Sequence, residues 1–183
     1  MRIYTRRGDD GTTGLFHGGR VPKDSTGPEA YGSVDEAVSV LGVARSTAEG
    51  AVADEILAIQ RELFVVAAEL ATALENRHQL QDGVSRVARD MIDSLETRID
   101  RLEADRGSPS EFVVPGGNLV AANIDLARTV VRRSERRTVT HYRETGENGR
   151  LVVAYLNRLA DYLYMLARAV EGEWTPSRQG DDR

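Results

Sequence analysis

The sequence predicts an all-α protein: an antiparallel five-helix bundle with a long N-terminal loop ahead of it. Three observations carry this. Apolar residues recur at three- and four-residue steps in separate segments along the chain. No stretch shows the two-residue alternation of a half-buried strand. Glycine and proline punctuate the segments into lengths suited to a bundle, and no internal repeat is present.

Taken in order, residues 1–27 form the loop. The segment TRRGDDGTTGLFHGGRVPKD carries five glycines and only scattered apolar residues. The first helix is expected from Pro28, with Glu29 in its first turn, to Ala48. Gly32 and Gly42 weaken it, so packing must hold it. The second spans about Val52 to Leu74, with Ile56, Ile59, Leu63, Val66 and Leu70 on one face. A polar loop, Glu75 to Gly83, leads to a third helix over Val84–Ala104, and Arg106-Gly107-Ser108-Pro109 breaks it. Phe112-Val113-Val114-Pro115-Gly116-Gly117 is a short extended piece that turns into the fourth helix.

That fourth helix runs from Asn118 to about Thr145, ~40 Å at 1.5 Å per residue. Leu119, Ala122, Leu126 and Val130 form an apolar stripe expected to face the core. Arg128, Arg132 and Glu135 share a neighbouring face by their spacings of four and three. After a turn at Gly146–Gly149, a fifth helix covers about Arg150–Val170. Leu151, Tyr155, Leu159, Tyr162 and Leu166 lie on its buried side, and Asn157, Asp161, Tyr164 and Arg168 on another face. Residues 171–183 read as a polar, mobile tail. The 183 residues suit one domain: loop 1–27, bundle 28–170, tail 171–183.

Composition narrows the chemistry. Hydrophobic residues make up 40% and charged residues 29%, as in soluble globular proteins, and the net charge is −5. An acidic chain is a poor general binder of nucleic acid, although a local basic patch can hold one anionic small molecule. The absence of cysteine excludes disulfides, thiolate catalysis and cysteine-ligated metals. The sequence carries neither an apolar signal region nor a run long enough to span a membrane, so the expected location is cytoplasmic. Glu75 and His78 have the spacing of a di-metal bundle motif, but no second such pair exists, and no resident metal is expected.

The N-terminal loop is neither a P-loop nor a dinucleotide fingerprint. Its residue types nonetheless suit phosphate: glycines expose N–H groups, threonines donate, and Arg6 and Lys23 neutralise. Spacing alone leaves Arg132 as a solvated helix-surface arginine and Phe112 as a core residue.

The order of the blocks adds to this. TRRGDDGTTGLF, Pro22-Lys23-Asp24 and EAYGSVDEA, then FVVPGG and ARTVVRRSERR, then YLNRLADYLYMLAR span Ile3 to Arg168. In this series the chain resembles the ATP:cob(I)alamin adenosyltransferases of the trimeric five-helix-bundle family. The resemblance implies transfer of the 5′-deoxyadenosyl group of ATP to the cobalt of reduced cobalamin, with triphosphate released. ATP enters with Mg²⁺, and sites lie at the interfaces of a homotrimer. A reductase and an adenosylcobalamin-dependent mutase are possible partners; nucleic acid and membrane are not. The resemblance implies ATP contacts from Thr5, Arg6, Gly8, Asp10, Gly11, Thr12, Thr13, Lys23, Arg132, Glu135, Asn157 and Asp161. It implies that Phe112 lies under the corrinoid ring, where it excludes the lower ligand. Asp35 and Arg128 match a salt bridge between subunits near the corrinoid. Arg132, Phe112, Asp35 and Arg128 are the implied catalytic set.

The chain departs from the family pattern in places. Ala37-Val38 stands where Leu-Asn is common, Ala160 where Ser is common, and STGPEAYG where an Asp-Pro-Arg-like segment is common. These departures leave open a corrinoid or nucleotide carrier or sensor without turnover. The run Arg132-Arg133-Ser134-Glu135-Arg136-Arg137 leaves open a helical nucleic-acid binder, against which stand the acidic total and the lack of nearby stacking aromatics.

Overall fold

The structure is a computed structural model, and it describes residues 4–178. Five helices dominate: α1 (Thr26–Thr47), α2 (Gly50–Leu70), α3 (Arg89–Arg106), α4 (Leu119–Thr145) and α5 (Arg150–Glu171). The expected all-α bundle is present. Helix α4 is central, packed against α1 on one side and α5 on the other. Helix α2 lies on α1, and α3 lies on α5.

Local chemistry sets these boundaries. Asn118 caps α4 by accepting a hydrogen bond from the Ala121 N–H at 2.9 Å. Gly146 ends the helix in the left-handed region, φ 71°, which side chains other than glycine's adopt reluctantly. Ala30, Val34, Ala37, Leu41 and Ala44 repeat at three- and four-residue steps on α1 and are fully buried, so α1 and α4 pack closely through small residues. Two ion pairs, Arg133–Glu36 and Arg137–Glu29, tie the same two helices at their edge.

Four expectations need correction. The stripe Leu119, Ala122, Leu126, Val130 is not the core face of α4. Leu119 is 64% exposed and Leu126 52% exposed. The buried face is Ala121, Ile124, Ala127, Val130, Val131, Ser134 and Thr138, rotated about the helix axis. Leu151, expected inside, is also exposed. Second, the N-terminal loop contains a small antiparallel hairpin, β1 (Thr12–Gly14) with β2 (Arg20–Pro22). Strands of three residues are too short to show alternation. Third, α3 begins at Arg89 rather than Val84. A 3-10 turn (Leu74–Gln79) and a loop precede it, with the Val87 N–H bound to Glu69 at 2.7 Å. Fourth, the described part of the tail is tied down. Ser177 donates its N–H to the Phe112 carbonyl at 2.7 Å, and Val114 donates to Thr175 at 2.8 Å. Residues 179–183 of the expected mobile tail lie outside the described residues.

Candidate functional site

The hairpin sits at the end of the bundle where α1 begins and α2 and α4 end. Phe16 donates its N–H to the Ala71 carbonyl at 2.8 Å, which docks the hairpin on α2. Beside it, Thr26 at the start of α1 meets His141 near the end of α4 at 3.2 Å.

Within the loop, Asp10 accepts from the Thr12 N–H at 2.9 Å and its hydroxyl at 2.7 Å. Those bonds, aided by Arg20, hold the Asp10 carboxyl below its usual range. Arg20 donates to the Thr12 hydroxyl and, at 2.5 Å, to the Arg7 carbonyl. It therefore fixes the loop's shape. Sequence reading passed over Arg20; its signal was position, eight residues after Thr12 and just past a Gly-Gly turn. Lys23 donates its N–H to Gly11 at 2.9 Å. A Cβ added at Gly8 would lie 3.2 Å from Lys23 Nζ, so the ammonium lies against the Gly8 backbone. Thr5 accepts from the Arg7 N–H at 3.4 Å, and Arg6 adopts φ 60°. Thr13 pairs with Val21 in the hairpin and lies beside Tyr31 of α1, whose pKa burial raises.

A second cluster lies along α4 and α5. Phe112, Arg128, Arg132, Tyr164, Ser177 and Arg178 line a hollow of about 790 Å³. Arg128, Arg132 and Tyr164 also line an adjoining hollow of about 380 Å³ with Asp161 and Ala160. Phe112 is 86% exposed, so it is not a core residue. Among the described residues, Arg132 has no ion-pair partner, and its guanidinium is available to an anion. Asp161 pairs with Arg158 at 2.9 Å. Farther along α4, Glu135 accepts from Asn157 of α5 at 3.2 Å, and both line a third hollow of about 830 Å³.

The chain therefore brings Phe112, Arg128, Arg132 and Asp161 into one connected region, and Glu135 with Asn157 into the next. The loop residues Thr5 to Lys23 line none of these three hollows. Asp35 is exposed on α1 and does not meet Arg128 within the chain. Arg128 instead donates to Asp125 at 2.9 Å. The i,i+3 spacing of Asp125 and Arg128 was a sequence signal for that pair. Of the departures, Ala37 is fully buried core, Val38 packs at the core's edge and offers its carbonyl to Gln60 at 2.9 Å, and Ala160 borders the second hollow.

Fold and site define a class: a helical-bundle protein with unpaired cationic charge beside an exposed aromatic ring, suited to an anionic ligand next to a large apolar-faced one. Comparison with known proteins makes this specific. The family model for cobalamin adenosyltransferase matches residues 3–170. A corrinoid adenosyltransferase of Citrobacter freundii is 44% identical over 177 residues, covering 93% of this chain and 95% of that protein. One from Bacillus subtilis (strain 168) is 38% identical over 175 residues, covering 93% and 86%. Among solved structures, a phenylalanine-to-alanine variant of a PduO-type ATP:corrinoid adenosyltransferase from Lactobacillus reuteri, complexed with cobalamin and ATP, superposes with TM-score 0.86. It is 29% identical and covers 97% of this chain and 100% of that one. The chain belongs to the cobalamin adenosyltransferase family.

Proposed function

We propose that this protein transfers the 5′-deoxyadenosyl group of ATP to the cobalt of cob(I)alamin, giving adenosylcobalamin and triphosphate. The observation that carries the reading is the convergence of Phe112, Arg128 and unpaired Arg132 on one hollow, in a chain of this family. The cobalt(I) electron pair forms the bond to C5′, and the C5′–O pair leaves with the triphosphate. Negative charge on the leaving group rises as that bond breaks, so preplaced cations and N–H donors lower the barrier. Arg132 supplies a planar fork of donors; Arg6, Lys23 and the N–H groups around Gly8 and Gly11 supply the rest of the cradle, with Thr5, Asp10, Thr12 and Thr13 shaping it. Asn157 and Asp161 orient the nucleotide, and Glu135, bonded to Asn157, stands beside them.

No cluster of three or more acidic or histidine side chains that would cage a metal occurs among the described residues. Mg²⁺ fits this reading as an ion brought by ATP, which needs only one or two carboxylates besides the phosphates. The Glu135 carboxylate, bonded to Asn157, is of that kind. Bound there, the ion would neutralise triphosphate charge. Phe112 presents an apolar face where the corrinoid's lower ligand would otherwise sit, which eases reduction of cobalt(II) and excludes water.

The single-chain placement supports sites shared between subunits of a homotrimer, because the cationic loop and the Phe112 hollow lie on different elements and do not close on each other. Asp35 is then free to meet Arg128 of a neighbouring copy. No helix among the described residues is long and apolar enough to cross a membrane. The reading locates the enzyme in the cytoplasm, between a reductase that supplies cobalt(I) and a mutase that uses the product. The test is the visible spectrum of cobalamin under strong chemical reduction with ATP and Mg²⁺. Conversion to the adenosylcobalamin spectrum is expected. Tight binding without conversion would overturn the reading in favour of a carrier or sensor.

A further inference from the structure

Arg168 is the largest fully buried side chain among the described residues, at 1% exposure on α5. A buried arginine is costly unless its charge is matched. Here it is matched twice. Its Nη2 donates to Asp125 Oδ2 at 2.5 Å, and its Nε lies 3.0 Å from Glu171 Oε2. Both carboxylates do more than neutralise it. Asp125 uses its other oxygen to accept from Arg128 Nε at 2.9 Å. Glu171 uses its other oxygen to accept from the Gly117 N–H at 2.6 Å. A continuous chain of contacts therefore runs from Arg128 through Asp125, Arg168 and Glu171 to the turn that follows Phe112.

Two further observations show that this chain is closely fitted. A Cβ added at Gly117 would lie 2.4 Å from Glu171 Cγ and 2.6 Å from Oε1, so only glycine lets the carboxylate reach the N–H. Tyr164, which lines both Phe112-side hollows, has its ring 5.3 Å from the Arg168 guanidinium and 6.0 Å from that of Arg128. Trp174 donates its indole N–H to the Arg168 carbonyl at 3.1 Å, at the base of the segment that pairs with Phe112.

We propose that Arg168 is a positioning residue for the corrinoid half of the reaction: through Asp125 it sets Arg128, and through Glu171 it sets the Phe112–Gly117 turn. The proposal rests on the adenosyl-transfer reading above. Arg168 touches neither substrate. Its two partners couple separate elements, so disturbing it displaces Phe112 and Arg128 together while leaving Arg132 and the nucleotide loop in place.

The test compares wild type, Arg168→Lys, Glu171→Ala, Glu171→Gln and Gly117→Ala. Gly117→Ala is informative because it removes no charge and only pushes Glu171 aside. Thermal unfolding by circular dichroism identifies the variants that fold, and the exposed Gly117 site keeps the test alive if the variants at the buried Arg168 and Glu171 side chains do not. Three quantities are read: KM for ATP, KM for cob(I)alamin, and the spectrum of bound cob(II)alamin, which reports loss of the lower ligand. Glu171→Ala and Gly117→Ala should raise the cob(I)alamin KM at least fivefold and lower the ligand-free fraction, with the ATP KM changed less than twofold. Glu171→Gln keeps an acceptor for Gly117 but loses the charge that pairs with Arg168, and should recover only part of the loss. Equal movement of both KM values, or an unchanged cob(II)alamin spectrum in folded variants, overturns the proposal. Absence of turnover in wild type would instead remove the underlying reading.

Discussion

At the scale of single residues, the same chemical type serves different ends a turn or two apart. Arg133 and Arg137 pair with Glu36 and Glu29, and so join α4 to α1. Arg128 is held by Asp125. Arg132 is left exposed among them with its charge unspent. The spacing signals the Arg128–Asp125 pair within α4, but it does not show that Arg133 and Arg137 are paired and Arg132 is not, because those partners come from another helix. Replacing Arg132 with alanine therefore removes no structural contact. The expected outcome is a kcat lower by about 10²–10³, the usual effect of deleting one transition-state donor. The melting temperature should stay within about 2 °C of wild type, as expected for an exposed site without such contacts. Steady-state kinetics and a melt on the same sample check this, and a wild-type rate would remove the role. Arg132→Lys keeps the charge but loses the fork, and should recover only part of the rate.

At the scale of elements, the long helices were legible because their periodicity is sustained. Helix α4 was expected over 118–145 and occupies Leu119–Thr145. Its buried face was misassigned because Leu119 and Leu126 mimic a core stripe; a sequence cannot say whether an apolar face is covered by its own chain. The hairpin and the pairing of residues 175–177 with 112–114 were not legible at all, since both are backbone pairings that leave no side-chain pattern. One junction between elements carries a pH signature. His141 on α4 packs against the start of α1, and burial pushes its pKa below the ordinary histidine range. Arg77 acts in the same direction, while Glu147 and Glu144 oppose it. With the folded pKa lowered, the unfolded chain binds the proton more readily, so stability is full above the unfolded value of about 6.5 and falls as pH drops below it. His141→Gln removes this titration while keeping a polar side chain near Thr26. Melting temperatures of the two proteins, taken from pH 8 to pH 5.5, should converge or cross as pH falls. A constant gap across that range would show that His141 does not contribute.

At the scale of the whole molecule, α4 keeps exposed apolar residues that a second chain could cover. Leu119 and Leu126, seven residues apart, share an exposed face of α4. Covering a leucine of this kind contributes about 1.5–3 kcal/mol. Two per subunit, repeated around a ring of copies, make a plausible association energy without any appeal to charge. The same assembly would bring Asp35 of one copy near Arg128 of the next and close the nucleotide loop over a neighbouring α4. The trimer itself entered the sequence reading only through resemblance, because nothing in the residues counts subunits. The decisive variant is Leu126→Glu, which puts a charge on that face and leaves the chain's own core untouched. Replacing an apolar contact with a buried carboxylate costs more than ~1.4 kcal/mol per interface, which is more than tenfold in association. Light scattering after gel filtration should show a folded monomer in place of the proposed trimer, with adenosylation falling at least as steeply. A Leu126→Glu protein that stays trimeric at the wild-type rate would mean that this face of α4 is not the interface. The site would then have to be completed by another surface, such as the exposed Phe64 and Val43 on α2 and α1.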